Sequence, residues 1–208
     1  MDVNELIKSK LSFLGSSLLN DIVAASSQLN FEKGTELLRE GQFVKVIPIV
    51  LTGLIKVFSR YEDKELLLYY IKPSESCVMS FSASLKNTPS QVFAITEEDT
   101  TVLLLPASKI NGWVKKFPDF NQLFFEQYNV RYHELLKTIN HLLFDKLDVR
   151  LYHYLLEKKD ITKKNPIKIS HRQIANELGT AREVISRLLK KLEGENKVKQ
   201  LSNQIKIL

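Results

Sequence analysis

Arg182, Glu183, Ser186, Arg187 and Lys190 stand at positions i, i+1, i+4, i+5 and i+8 of a 208-residue chain. On an α-helix that spacing gathers all five on one face. An arginine can fork onto O6 and N7 of guanine, a glutamate can accept from N4 of cytosine, and a serine is adaptable. A lysine neutralises phosphate. The set therefore suits the base edges of a DNA major groove, with Arg182, Glu183, Ser186 and Arg187 as the readers. Two blander uses of the same side chains stay open. Glu183 fits a helix cap begun by Thr180, and Arg182 and Arg187 fit a solvated surface.

The elements that must carry this face are legible around it. Ile185, Leu188, Leu189 and Leu192 form the opposite, apolar stripe of the same helix. Upstream, Ser170-His171-Arg172-Gln173 has the pattern of a capping box, and Ile174, Ala175 and Leu178 form the inner side of a short helix. The small Ala175 allows a second helix to cross closely. Gly179 can take a positive φ between the two helices. Thr180-Ala181-Arg182-Glu183 has a second capping-box pattern, and Gly194 is the expected stop of the second helix. Val198–Leu201 and Gln204–Leu208, on either side of Ser202-Asn203, predict a two-strand wing. Cap, short helix, glycine turn, amphipathic helix and hairpin together make a winged helix-turn-helix. Ser170, His171 and Thr180 lie near helix starts, where phosphate contacts are expected alongside Lys190.

Charge supports this placement. Residues 1–144 hold 15 basic and 16 acidic side chains, whereas residues 145–208 hold 15 and 8. A basic module on a near-neutral body is the electrostatic footprint of a nucleic-acid binder, although a merely soluble Lys-rich surface has the same sign. No apolar run approaches the roughly 20 residues of a membrane span. The start lacks the basic-then-apolar pattern of a secretory signal, so a cytoplasmic protein without membrane partners is expected. One cysteine excludes a disulfide framework and any metal site built mainly from thiolates. No phosphate-binding glycine loop, nucleophile elbow or His-Glu-x-x-His stretch is present, which argues against an enzyme.

Ahead of the basic third the pattern changes twice. Leu6, Leu11, Leu14, Leu18 and Ile22 recur at helical spacing, with Gly15 as a break. From 29 to 106, short β-rich runs alternate with turn residues, which predicts a sheet-only sandwich or small barrel. Residues 119–144 contain neither Gly nor Pro and carry an apolar stripe at Leu135, Ile139 and Leu142, flanked by Leu136 and Leu143. A helix of that length spans roughly 35–40 Å. It either packs along its own chain or pairs with a copy of itself, and self-pairing is the reading adopted. Residues 145–149 read as a hinge before a helix bearing Leu147, Leu151 and Leu155, with Asn165-Pro166 as its expected end. The fold class is α+β: a β-roll domain with N-terminal helices over 1–112, a long dimerisation helix over 113–144, and a winged helix-turn-helix over 145–208.

The stretch from Ile174 to Leu189 resembles the helix-turn-helix of the Crp/Fnr family of bacterial transcription regulators. The order of elements along the whole chain is similar to that family's. The resemblance implies a jelly-roll sensor domain of cyclic-nucleotide-binding type, a homodimer, double-stranded DNA and RNA polymerase as partners, and a palindromic site. It places Glu183 and Arg187 where the family reads a G·C pair in a TGA-containing half-site. Arg182 falls where the cyclic-AMP receptor branch has an extra guanine-reading Arg, and Ser186 where the Fnr branch has its Ser.

The same resemblance implies what the sensor is not. The family's nucleotide-binding Gly-Glu and Arg-Ser pairs align with Val78-Met79 and Pro89-Ser90, so the Glu and the Arg are absent and tight binding of cyclic AMP is not expected. Lys86 is the nearest cation. Four cluster-binding cysteines are lacking, so the oxygen-sensing iron–sulfur type is excluded. No cofactor is expected. Cys77 is read as a small buried residue, with haem held by Cys77 or by His133, His141 or His153 as the alternative. If an effector pocket persists, Cys77, Met79, Ser80 and Ser90 are its expected lining, apolar with a few hydroxyls and open toward the long helix. The competing functional reading is a ligand-binding or scaffolding protein with a vestigial helix-turn-helix.

Overall fold

A computed structural model describes Ile7, residues 9–61 and residues 64–208; the side chains at 61, 64, 137, 138 and 140–144 fall outside that description. Leu6 of the sequence readings therefore lies outside the described residues, as do the side chains of His141, Leu142 and Leu143. Contacts divide the chain into two units, Met1–Ser59 with Leu68–Glu134 and Arg60–Leu67 with Leu135–Leu208.

The first unit begins with a 3-10 turn at Ser12–Leu14 and helix α1, Ser16–Ala25, separated by Gly15 at φ 74°. Strand β1, Ser27–Phe31, follows α1 after the single residue Ser26. Its backbone is claimed by β7, Thr100–Pro106, with Ser27 opposite Leu104 and Phe31 opposite Thr100. Strand β3, Val46–Thr52, pairs with the other edge of β7, which gives the order β1-β7-β3. The second sheet runs β2-β6-β4-β5, from Glu36–Leu38, Phe93–Thr96, Ile55–Tyr61 and Lys64–Ile71.

The apolar run 46–51 is explained by burial on both faces of its sheet. Alternate side chains of a strand point opposite ways. Ile47, Ile49 and Leu51 join Leu103 and Leu105 in a core shared with Leu18 and Ile22 of α1. Val50 and Val102 face the other way, into a second core with Ile55, Val57, Ile71, Cys77 and Ala94. Helix α2, Val78–Lys86, and helix α3, Ala107–Lys116, close the first core through Phe81 and Trp113. Phe81 stacks on Phe124 at 3.6 Å between ring centroids, and Trp113 meets Phe120 edge-on at 5.6 Å.

Phe120 and Phe124 belong to α4, Pro118–Phe144, a single helix of 27 residues that begins at 118 rather than 113, because α3 runs to Lys116 and Phe117 takes extended backbone between the two. Its start buries Phe120, Leu123 and Phe124, and Gln127 and Arg131 continue that face. Among the described residues no helix is long and apolar enough to cross a membrane.

The second unit carries α5, Leu147–Thr162, then β8 at Ile167–Lys168, α6 at His171–Glu177, α7 at Arg182–Gly194, and the hairpin β9, Val198–Leu201, with β10, Gln204–Ile207. One core joins them: Leu151 and Leu155 of α5, Ile174 and Ala175 of α6, Ile185, Leu189 and Leu192 of α7, and Val198, Ile205 and Ile207 of the wing. Helix α5 stops before Asn165-Pro166, because Lys163 takes the left-handed conformation at φ 55°. Nor does Gly194 supply the turn after α7. It is the last helical residue, and Asn196 takes the positive φ, 57°. Asn165 instead ties the wing, accepting from Ile207 N at 2.9 Å and donating to Ile207 O at 2.8 Å.

Candidate nucleic-acid interface

The interface is built from the α6–α7 pair. Ser170 caps α6 with the full reciprocal box: its side chain accepts from Gln173 N, and the Gln173 side chain accepts from Ser170 N. The end of α6 is a Schellman motif. Gly179 at φ 64° donates to Asn176 O at 3.1 Å, and Thr180 N donates to Ala175 O at 2.9 Å. That geometry corrects the expected cap of α7. Thr180 is taken up in closing α6, so the N-cap position falls one residue later, on Ala181, which makes no side-chain cap bond. Glu183 is therefore not the partner of a Thr180 cap.

With that constraint removed, α7 divides as its sequence requires. Ile185 and Leu189 are fully buried, and Leu188 packs partly on the same core. Arg182, Glu183, Arg187 and Lys190 are exposed on the other side. Ser186 is half-buried: its hydroxyl donates to Arg182 O at 3.0 Å and lies 2.9 Å from His171 Nδ1. Nothing in the sequence pattern announces this bridge, because the two residues are 15 apart and meet only when α6 crosses α7. Ser170, His171, Arg172 and Arg182 on the helices, with Asn203 and Gln204 of the wing, line an open recess of about 460 Å³. Arg172, Asn203 and Gln204 were not among the sequence candidates. Thr180 is half-buried between the helices.

Two further polar features hold the module together. Tyr154 OH donates to Glu177 Oε2 at 2.5 Å and Lys158 Nζ to the same oxygen at 3.3 Å, a buried cluster pinning α6 to α5. Lys191 pairs with Asp148 across the outside, and the Glu193 carboxylate accepts from Gln200 N at 2.7 Å and from Gln200 Nε2 at 2.8 Å. These contacts depress three carboxyl pKa values. Asp148 is lowered chiefly by its hydrogen bond from Lys191, Glu193 by the backbone of Gln200, and Glu195 by its hydrogen bond from Lys197. A depressed carboxyl favours the folded state above its unfolded pKa of about 4 and loses that contribution as pH falls through the folded value. Thermal unfolding of the protein should thus show a decline in midpoint below about pH 4 that is shallower in Asp148→Asn.

The effector-pocket candidates Cys77, Met79, Ser80 and Ser90 are all placed in the first unit, whereas His153, one of the alternative haem ligands, lies on α5 in the second. Cys77 is the N-cap of α2, where its sulfur accepts from Ser80 N at 3.4 Å, and the Tyr69 hydroxyl lies 3.7 Å away. Burial, with the thiol beside it, pushes the Tyr69 phenol well above its usual range. Ser80 is buried, Met79 is half-buried, and Ser90 Oγ is bonded within its own loop, to Val92. The long helix adds residues missed from sequence. Gln127 Oε1 accepts from Ser76 N at 2.8 Å, and Arg131 bridges Glu75 and Glu134. Burial opposes the Arg131 charge, yet the two carboxylates hold its pKa above the ordinary value. Gln127 Nε2 and Arg131 Nε are buried without a hydrogen-bond partner. Polar residues at i and i+4 read as a solvated face; only the packed turn at 74–77 makes them inward.

A β-roll followed by a long helix and a winged helix-turn-helix with cations on its outward face is the architecture of a DNA-binding regulator with a sensor domain. The chain carries a cyclic nucleotide-binding domain matched over residues 28–117 and a Crp-like helix-turn-helix domain matched over residues 149–208, the domain pair of a Crp/Fnr-type transcriptional regulator. The probable transcriptional regulator flp of Lacticaseibacillus casei is 26% identical over 191 residues, 90% of this chain and 85% of that protein. A crystal structure of a Crp/Fnr-family transcriptional regulator from Eubacterium rectale superposes with a TM-score of 0.84 at 26% identity, covering 95% of this chain and 92% of that one. The c-di-GMP-responsive global regulator CLP of Xanthomonas campestris shares the fold at 16% identity, with a TM-score of 0.82 over 92% of this chain and 98% of that one.

Proposed function

We propose that the protein is a cytoplasmic homodimer that reads a palindromic DNA site with TGA-containing half-sites and regulates transcription, with RNA polymerase as its working partner, under a signal received at the β-roll domain. The observation that carries this reading is the outward face of α7. Arg182, Glu183 and Arg187 are exposed together on a helix whose opposite side buries Ile185, Leu189 and Leu192. Lys190 on that face, with Ser170, His171 and Thr180 beside it, supplies contacts to the backbone rather than to bases.

The dimer rests on α4. Phe125, Tyr128, Tyr132, Leu135 and Ile139 recur at alternating steps of three and four, and all are exposed, Phe125 by 73%, Tyr132 by 59% and Leu135 by 52%. A heptad stripe that open to water pairs with a second copy of itself. Two copies would set the recognition helices about 34 Å apart, one turn of DNA. In Leu135→Glu the expected species in sedimentation is a monomer whose affinity for a palindrome falls by at least tenfold. A dimer of unchanged stability would rule out this stripe as the seam.

Selection of bound duplexes from a random pool, followed by a salt titration, tests the whole reading. A regulator returns a palindrome and a steep negative slope of log affinity against log salt. No selected sequence and a flat slope would favour a scaffold. The signal is not cyclic AMP in this proposal, since Met79 and Pro89 stand where the ribose and phosphate partners are needed. Calorimetry should accordingly show no micromolar binding.

A further inference from the structure

We infer that the protein reaches its DNA-binding form with no small molecule aboard: a clasp of α4 side chains already joins the β-roll to the long helix, and the signal acts by opening it. This rests on the regulator reading above. A sensor needs an added ligand to join two elements only where the joint lacks contacts of its own. Here it has them at both ends. At the β-roll end, the segment 74–76 is laced to strand β3. Ser74 N donates to Val50 O at 2.8 Å, Val50 N to Glu75 O at 2.9 Å, and Ser76 Oγ to Pro48 O at 2.8 Å. Ser76 is fully buried. At the helix end, three side chains within a little over one turn of α4 grip residues 75–78. Gln127 Oε1 accepts from Ser76 N at 2.8 Å, Tyr128 OH donates to Val78 O at 3.0 Å, and Arg131 pairs with Glu75. Arg131 also donates to Glu134 at 2.6 Å, and its guanidinium lies 4.6 Å from the centre of the Tyr69 ring.

The position of Tyr128 makes this a joint and not packing alone. Its ring belongs to the exposed stripe proposed as the seam between subunits, while its hydroxyl holds Val78. Clasp and seam share one stretch of helix, so a movement of residues 75–78 reaches the dimer contact. Beyond Glu134 the same helix passes into the second unit. The charge on Arg131 gives the joint two positions. The guanidinium is buried, and giving up Glu75 strands part of its charge away from water unless it swings out. It is therefore either seated or released, without a graded range between. Gln127 Nε2 and Arg131 Nε are buried with no acceptor, which raises the energy of the seated form and keeps release within reach of a signal.

The test joins a mass measurement to an affinity series. Native mass spectrometry of the purified protein on the selected palindrome should read two chains and one duplex, with no added mass, and exhaustive dialysis should leave the affinity unchanged. Glu75→Gln and Arg131→Gln should each weaken binding to the palindrome about tenfold while sedimentation still shows a dimer. Arg131→Lys, which keeps the charge, should recover most of that loss. Tyr128→Phe keeps the ring in the seam and removes only the bond to Val78, so its affinity should also fall, a change that a purely apolar role for Tyr128 would not produce. Glu75 is half-buried, so Glu75→Gln decides the matter even where Arg131→Gln fails to fold. Parental affinity in both Glu75→Gln and Tyr128→Phe overturns the clasp. So does a small molecule carried in the DNA-bound species, or a parent protein that binds the palindrome only after the low-molecular-mass filtrate of a cell extract is added. A parent protein that shows no salt-dependent binding to any duplex, with or without that filtrate, fails the regulator reading itself.

Discussion

Arg187→Ala should lose about 1–3 kcal/mol of sequence discrimination per half-site, the worth of one bidentate contact to guanine. A homodimer presents the residue twice, so the loss on a palindrome approaches double that figure, provided the half-sites act independently. Base preference should relax at one pair of symmetric positions and nowhere else. The thermal midpoint should hardly move. Arg187 is exposed and lies opposite Ile185 and Leu189, the buried residues that fix α7 in its module. Binding to random duplex should fall only modestly, with the salt slope nearly unchanged, because that slope counts phosphate contacts. Equal loss on every sequence would instead make Arg187 a phosphate contact, and the readers would then be sought at Arg182 and Glu183. The measurement is a binding profile of both proteins on a mutated-palindrome library at one salt concentration.

Gly53→Ala should destabilise the β-roll by about 3–5 kcal/mol, the range of a strained backbone position combined with a backbone clash. Gly53 sits at φ 88°, and a Cβ there would come within 2.5 Å of Asp99 O and 2.7 Å of Thr100 Cα. Neither neighbour is a flexible side-chain end. Thr100 opens β7, the central strand of its sheet, and pairs with Phe31. Its hydroxyl also accepts from Leu54 N at 3.2 Å and donates to Glu98 O at 2.7 Å, so relief on either side costs further bonds. The single tryptophan, Trp113, is buried in the core of that unit, so its fluorescence reports this unfolding. The urea midpoint of the fluorescence transition should drop sharply. A midpoint within error of the parent protein would show that the 52–54 turn can reshape without cost.

The regulatory consequence of the architecture is a division of labour. Glu75, Ser76, Gln127 and Arg131 bind the 74–77 turn to the long helix inside the first unit. The apolar stripe of that same helix is the proposed seam between subunits. A signal that alters the turn would therefore act on the element through which the two recognition helices are spaced, a population shift rather than a new contact with DNA.

By itself the sequence determined the order of elements and the outward face of α7. Periodicity is a local property: short apolar runs mark β3 and β7, and steps of three and four mark α4 and α7, whatever packs on them. The Ser170 capping box and the positive φ of Gly179 are likewise decided by residues within four positions. Tertiary structure decided everything that depends on who arrives from afar. Thr180 looks like a cap but closes α6, because its backbone is drawn to Ala175 before its side chain can serve α7. Ser186 looks like a groove reader but meets His171 once α6 crosses over it. Lys158 and Arg131 are themselves buried, paired with the buried Glu177 and the half-buried Glu75, 19 and 56 residues away. Spacing along the chain fixes which way a side chain points; it says nothing of the distant group that meets it there, because that encounter is set by the packing of whole elements.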